Sequence, residues 1–122
     1  VRFLVQDDEQ QASVVNTLLV NVEADKQVLF VSNVVVLEFM WVLKSAYGVS
    51  RDDILASLNE LLAMSILAFQ DQTAVRDFVT SAQGNTYDLA DLLIAQVSQV
   101  KGCETTLTFD KKAAKSPVFT QL

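Results

Sequence analysis

Glu38 sits in NVVVLEFMWVL (33–43), Asp88 and Asp91 in YDLADLLIA (87–95), and Asp110 closes TLTF (106–109). Each is a carboxylate set among apolar residues. If the Glu38 stretch is helical, the neighbours at i±3 and i±4 are Val34, Val35, Trp41 and Val42, so no local Lys or Arg pairs with it. A buried, unpaired carboxylate costs several kcal/mol or takes up a proton. Bringing Glu38, Asp91 and Asp110 together multiplies the difficulty. At an effective dielectric of ~20, two carboxylates ~4 Å apart repel by about 4 kcal/mol, and three mutual pairs by about 12 kcal/mol. A divalent cation reverses that sign. All-oxygen ligation without histidine selects Mg²⁺ or Mn²⁺ over zinc or copper, and such a cluster with open positions suits phosphodiester hydrolysis.

Composition narrows the field around these acids. The chain has 122 residues, 51% of them hydrophobic, which makes one domain over 1–122 with enough apolar surface for a real core. It contains no histidine, which removes Ser-His-Asp and Cys-His catalysis and the usual zinc sets. The single cysteine, Cys103, forms no internal disulfide, fits a reducing compartment and reads as a small buried side chain. A net charge of −6 opposes nucleic-acid binding unless the carboxylates hold metal. Without an apolar run of roughly 18–20 residues or a basic leader, the expectation is a soluble, cytoplasmic protein.

Periodicity supplies the elements that must position the acids. Ala12, Val15, Leu18, Leu19 and Val22 give a helix over about 9–22 an inner stripe, with Asp8 and Gln11 as a capping box and Asp7 and Asp8 as helix-start acids. Residues 28–31 read as a strand buried on both faces. Ser32 or Asn33 caps the next helix, which carries Glu38 and ends before Gly48, with Phe39, Met40 and Trp41 expected in the core. Ser50 opens a helix with Asp53 at N3 and Ile54, Leu55, Leu58, Leu61 and Leu62 inward. A second strand over 66–69 leads to a helix capped by Asp71 and stopped at Gly84. A helix over about 87–101 follows, closed by Gly102, and then a strand over 104–109 and an edge strand over 118–122. Short apolar strands alternating with helices indicate an α/β domain built on a parallel sheet. Ligands of such sheets lie beyond the carboxyl ends of the strands, where Ser32, Glu38 and Asp110 fall.

The acids also have plain structural readings. Asp88 is favoured in a first helical turn by the helix dipole, and Asp110 can N-cap a short basic helix over 110–115. Lys111, Lys112 and Lys115 can guide a phosphate backbone or form an ordinary solvated face.

Taken in order, NVVVLEFMWVL, YDLADLLIA and TLTFDKKAAK resemble the PIN domain, especially VapC-type toxin ribonucleases, over the whole length of the chain. The resemblance implies a three-layer α/β/α fold with a central parallel sheet flanked by helices. It implies an Mg²⁺- or Mn²⁺-dependent endoribonuclease in which Glu38, Asp91 and Asp110 act as catalytic residues and metal ligands. Asp88 lies close by, and Thr108 and Ser32 support the site. It further implies a homodimer, an RNA substrate and a small DNA-binding antitoxin as partner. PIN domains begin with a central strand ending in Asp-Thr-Asn or Asp-Ser-Asn, whereas this chain opens VRFLVQ, which resembles the segment just after that motif. The expectation is therefore that the upstream coding sequence supplies the strand and its aspartate. A second reading is a non-catalytic interaction module on the same scaffold, binding an antitoxin-like partner. Toprim-like and receiver-like domains rank last, because a helix-borne Glu38 and the Asp88/Asp91 pair fit them poorly.

Overall fold

Serine hydroxyls start two of the helices that matter most. Ser32 Oγ accepts from the Val35 amide at 3.2 Å, and Ser50 Oγ accepts from the Asp53 amide at 3.2 Å; each such cap is worth about 1 kcal/mol. The computed structural model describes residues 9–122. Asp7 and Asp8 lie outside the described residues. In chain order the elements are α1 (Glu9–Ala24), β1 (Leu29–Val31), α2 (Asn33–Ser45), α3 (Arg51–Leu62), β2 (Leu67–Phe69), α4 (Gln72–Ser81), α5 (Leu89–Val100), β3 (Thr106–Thr108), a 3-10 turn (Ala113–Lys115) and β4 (Phe119–Gln121). Gly48 takes φ +62° after α2, letting the Val49 amide return to the Leu43 carbonyl at 2.9 Å.

The α/β class holds, but the sheet comes as two parallel pairs. β1 runs beside β2 in the register Leu29↔Leu67, Phe30↔Ala68, Val31↔Phe69, and β3 beside β4 with Thr106↔Phe119, Leu107↔Thr120, Thr108↔Gln121. Joining β1 to β3 needs a direct ladder or a strand between them, and the described residues supply neither. The expectation that residues 28–31 are buried on both faces fails: side chains alternate along a strand, and Val28 and Phe30 share the face left exposed, Phe30 at 68%.

The core sits between the helices. Leu43 of α2, Ile54, Leu55 and Leu58 of α3, Phe78 of α4 and Leu93 of α5 are all at most 1% exposed. The inner stripe expected for α3 is therefore correct, with Leu61 packed against the cluster from its edge, and of the α2 residues expected in the core Met40 is buried and Phe39 partly so. Three expectations need correction. From α1 only Val22 is buried, while Val15 and Leu18 are exposed, because no described element covers that stripe. Trp41 is 67% exposed, since it lies on the cavity wall of α2 and not in the buried row of Val36, Met40 and Leu43. Cys103 is exposed beyond Gly102.

Asp71 occupies the N-cap position of α4 but makes no capping bond. Its carboxylate accepts from Asn33 Nδ2 at 2.7 Å and pairs with Lys101 at 3.7 Å, tying the ends of β1, β2 and α5 together.

Phe78→Ala is expected to lower the unfolding free energy by about 3–5 kcal/mol, seen as a lower urea midpoint at unchanged slope. A loss below about 1 kcal/mol would show that the four-helix contact is not the centre of the core.

Candidate acidic site

The start of α5 is built by one of the site acids. Asp88 is the N-cap, and its Oδ1 accepts from the Asp91 amide at 3.0 Å, so Asp91 is N3 of a helix that begins two residues later than the sequence pattern indicates. Both carboxylates gain from the positive end of the helix dipole. Asp110 does the same work after β3. Its amide donates to Thr108 Oγ1 at 3.0 Å, and its Oδ1 accepts from the amides of Lys112 at 2.8 Å and Ala113 at 3.3 Å. The structural reading of Asp88 is thus correct as far as it goes, while Asp110 holds the amides ahead of a 3-10 turn whose N-cap position is Lys112. Both leave room for more, because a carboxylate offers about four acceptor sites and each uses only one oxygen.

Asp88, Asp91 and Asp110 line one cavity of about 450 Å³. The two turns that carry them are linked, since the Tyr87 hydroxyl donates to the Lys115 carbonyl at 3.2 Å. Burial first, and then the negative charges of Asp88 and Asp110, push the Asp91 carboxyl above the usual carboxylate range. The like-charge strain anticipated for clustered acids is therefore present at Asp91, without Glu38 as a contributor.

Glu38 is exposed and does not line this cavity. At 100° per residue, Leu37, Met40, Trp41 and Lys44 form the i, i+3, i+4, i+7 stripe of α2 that faces the cavity. Glu38 falls on the outward side with exposed Val34 and Val35. The burial cost assigned to its carboxylate does not arise. Among the described residues no three of His, Cys, Asp and Glu are grouped closely enough to hold a metal ion. The donor chemistry of the three aspartates suits a hard divalent cation.

Other expected residues divide. Lys112 lines the cavity, whereas Lys111 and Lys115 are exposed and off its wall. Thr108 supports the Asp110 turn directly. Ser32 acts at a distance, by capping the helix that carries Glu38. Motif reading missed Lys44, Arg51 and the cavity-facing role of Trp41. The signal for Lys44 and Trp41 was their spacing from Leu37. The signal for Arg51 was a cation in the first turn of a helix, where the dipole disfavours it.

A carboxyl whose folded pKa is raised contributes stability that is complete below its unfolded pKa and is lost as pH rises through the folded pKa. In metal-free buffer Asp91→Asn should therefore melt above the parent near neutral pH, and the difference should close below about pH 3. Thermal scans across that range check it, and a difference independent of pH would contradict the assignment.

A family model for the PIN domain matches residues 1–117. No curated protein and no solved structure gives a significant match. PIN domains are typically metal-dependent nucleases that use ions such as Mg²⁺, and PIN nucleases bind RNA. No described helix is long and apolar enough to cross a membrane. With a parallel-stranded α/β fold, aspartates gathered at one cavity and a family match over nearly its whole length, the chain belongs to the PIN-domain family.

Proposed function

We propose that this single domain is a metal-dependent endoribonuclease, the toxin of a toxin–antitoxin pair. In this reading it hydrolyses RNA phosphodiester bonds with Mg²⁺ or Mn²⁺ held by carboxylates. It works in the cytoplasm as a homodimer that a small DNA-binding antitoxin restrains. The observation that supports it most is the shared cavity of Asp88, Asp91 and Asp110, where burial first and then the charge of the other two raise the Asp91 pKa.

The roles follow from chemistry and position. Asp91 and Asp110 are the ligands that the family likeness and the cavity have in common, and Asp88 adds a third carboxylate. A divalent ion, when bound, supplies a more acidic water and stabilises charge on the leaving oxygen. Lys44 and Lys112 on the cavity wall offset the chain's net negative charge where a phosphate would approach. The exposed ring of Trp41 offers a stacking surface for an unpaired base, which favours single-stranded RNA. Glu38 enters through the family likeness alone, as a ligand or water-positioning group from α2.

A second reading, a non-catalytic module that binds an antitoxin-like partner, is favoured by two observations. The described residues contain no metal-holding group of three acids, and Val34, Val35 and Trp41 expose an apolar face on α2. Mn²⁺ titration separates the two: no uptake at millimolar concentration with partner binding intact supports the module.

With single-stranded RNA and Mn²⁺, Asp91→Asn and Asp110→Asn should each lower kcat/KM by about 10- to 100-fold or more. Cleavage at parental rates by both variants would defeat the nuclease assignment at this cavity. Equal activity of Glu38→Gln and the parent would remove Glu38 alone from the mechanism.

A further inference from the structure

Arg51 is placed where elementary electrostatics opposes it. It is the first residue of α3, at the positive end of the helix dipole, and its side chain is partly buried. Burial lowers its pKa from the ordinary value, while the nearby charges of Asp52 and Asp88 act the other way. The guanidinium stays protonated all the same. Its Nε is buried with no hydrogen-bond partner, a further cost. Something must offset these penalties.

The compensation comes from one short segment. One terminal nitrogen of Arg51 donates to the Tyr87 carbonyl, and the other donates to the Ala82 carbonyl at 3.2 Å and to Asn85 Oδ1 at 2.8 Å. All three acceptors lie in the turn between α4 and α5. Asn85 extends the clasp, since its Nδ2 donates to the Ser81 carbonyl at 2.7 Å and its Oδ1 also receives the Tyr87 amide at 3.4 Å. The next residue is Asp88, which caps α5 and sets Asp91. Tyr87 carries the connection onward to Lys115 in the turn that Asp110 opens.

We infer that Arg51 is the positioning residue of the acidic site: its planar fork holds the α4–α5 turn in the one arrangement that lets Asp88 cap α5 and brings Asp91 to the cavity shared with Asp110. Lysine cannot replace it, because a single ammonium on a flexible stem does not reproduce two terminal nitrogens fixed in one plane. For its catalytic consequence the inference rests on the nuclease reading, but the positioning role is independent of it.

A charge role and a positioning role give opposite signs. If Arg51 acted only as a cation beside the aspartates, Arg51→Met would remove repulsion and tighten Mn²⁺ binding, while Arg51→Lys would leave it unchanged. A positioning role weakens Mn²⁺ binding in both variants, by about 10- to 100-fold as for other residues that orient ligands.

The full chain, with each variant beside it, is titrated with Mn²⁺ by electron spin resonance of the free ion. Amide hydrogen exchange is followed in parallel. The expected result is that exchange of the Asp91 amide speeds up by about tenfold in Arg51→Lys while that of Phe78 is unchanged. Mn²⁺ affinity that is retained in Arg51→Lys and rises in Arg51→Met would overturn the inference. So would equal acceleration at Asp91 and Phe78 in Arg51→Lys, which would make Arg51 a general support of the fold. Should the parent take up no Mn²⁺, the metal reading fails and the exchange measurement alone decides the role of Arg51.

Discussion

Four helices turn apolar faces toward one another at Leu43, Leu58, Phe78 and Leu93, and the withdrawal of those side chains from water fixes where every site loop emerges. The strands are three residues long and contribute little to this cluster beyond Phe69. Close packing makes the arrangement stiff, so the ends of α2, α3, α4 and α5 are held relative to one another before any polar contact is counted. The hydrogen bonds at those ends then choose among the few arrangements that the packing permits.

On that frame the site brings opposite charges to one place without forming tight ion pairs. Asp88, Asp91 and Asp110 meet Lys44, Arg51 and Lys112 around a single cavity. None of the six is joined to another by a salt bridge within 4.0 Å among the described residues. Arg51 is committed to carbonyl and amide oxygens instead, and Asp88 and Asp110 to backbone amides. The carboxylates therefore keep their charge available, at a cost of burial and then of neighbouring charge that falls on Asp91, the one of the three that is not exposed.

Helix positions were legible because capping and periodicity act over a few residues. Ser32 and Ser50 announce α2 and α3, and the stripe from Ile54 to Leu62 faces inward as its spacing requires. The acids were legible as a group, since Asp88, Asp91 and Asp110 stand out from their apolar surroundings. Glu38 is exposed despite its apolar surroundings in sequence, because neighbours in sequence are not neighbours across a helix: a single step of 100° separates Leu37 on the cavity wall from Glu38 on the outer face. Trp41 and Cys103 are exposed for a related reason, in that residue type states what burial would gain and not whether a covering element exists. The break in the sheet was hidden as well, because a strand's own sequence does not say whether it has a neighbour on each side. Arg51 was silent to motif reading, as its three acceptors lie more than thirty positions away in the chain.

That Asp88 and Asp110 both hold a turn and line the cavity bears on how such a site can change over generations. Asparagine keeps the Oδ1 acceptor and ranks beside aspartate as a helix cap, so replacing one oxygen by an amino group preserves the turn and erases the charge. Fold and chemistry are thereby decoupled at these two positions. A descendant could lose its acidic edge by single substitutions and still fold as before, leaving the cavity free to be recruited for recognition alone.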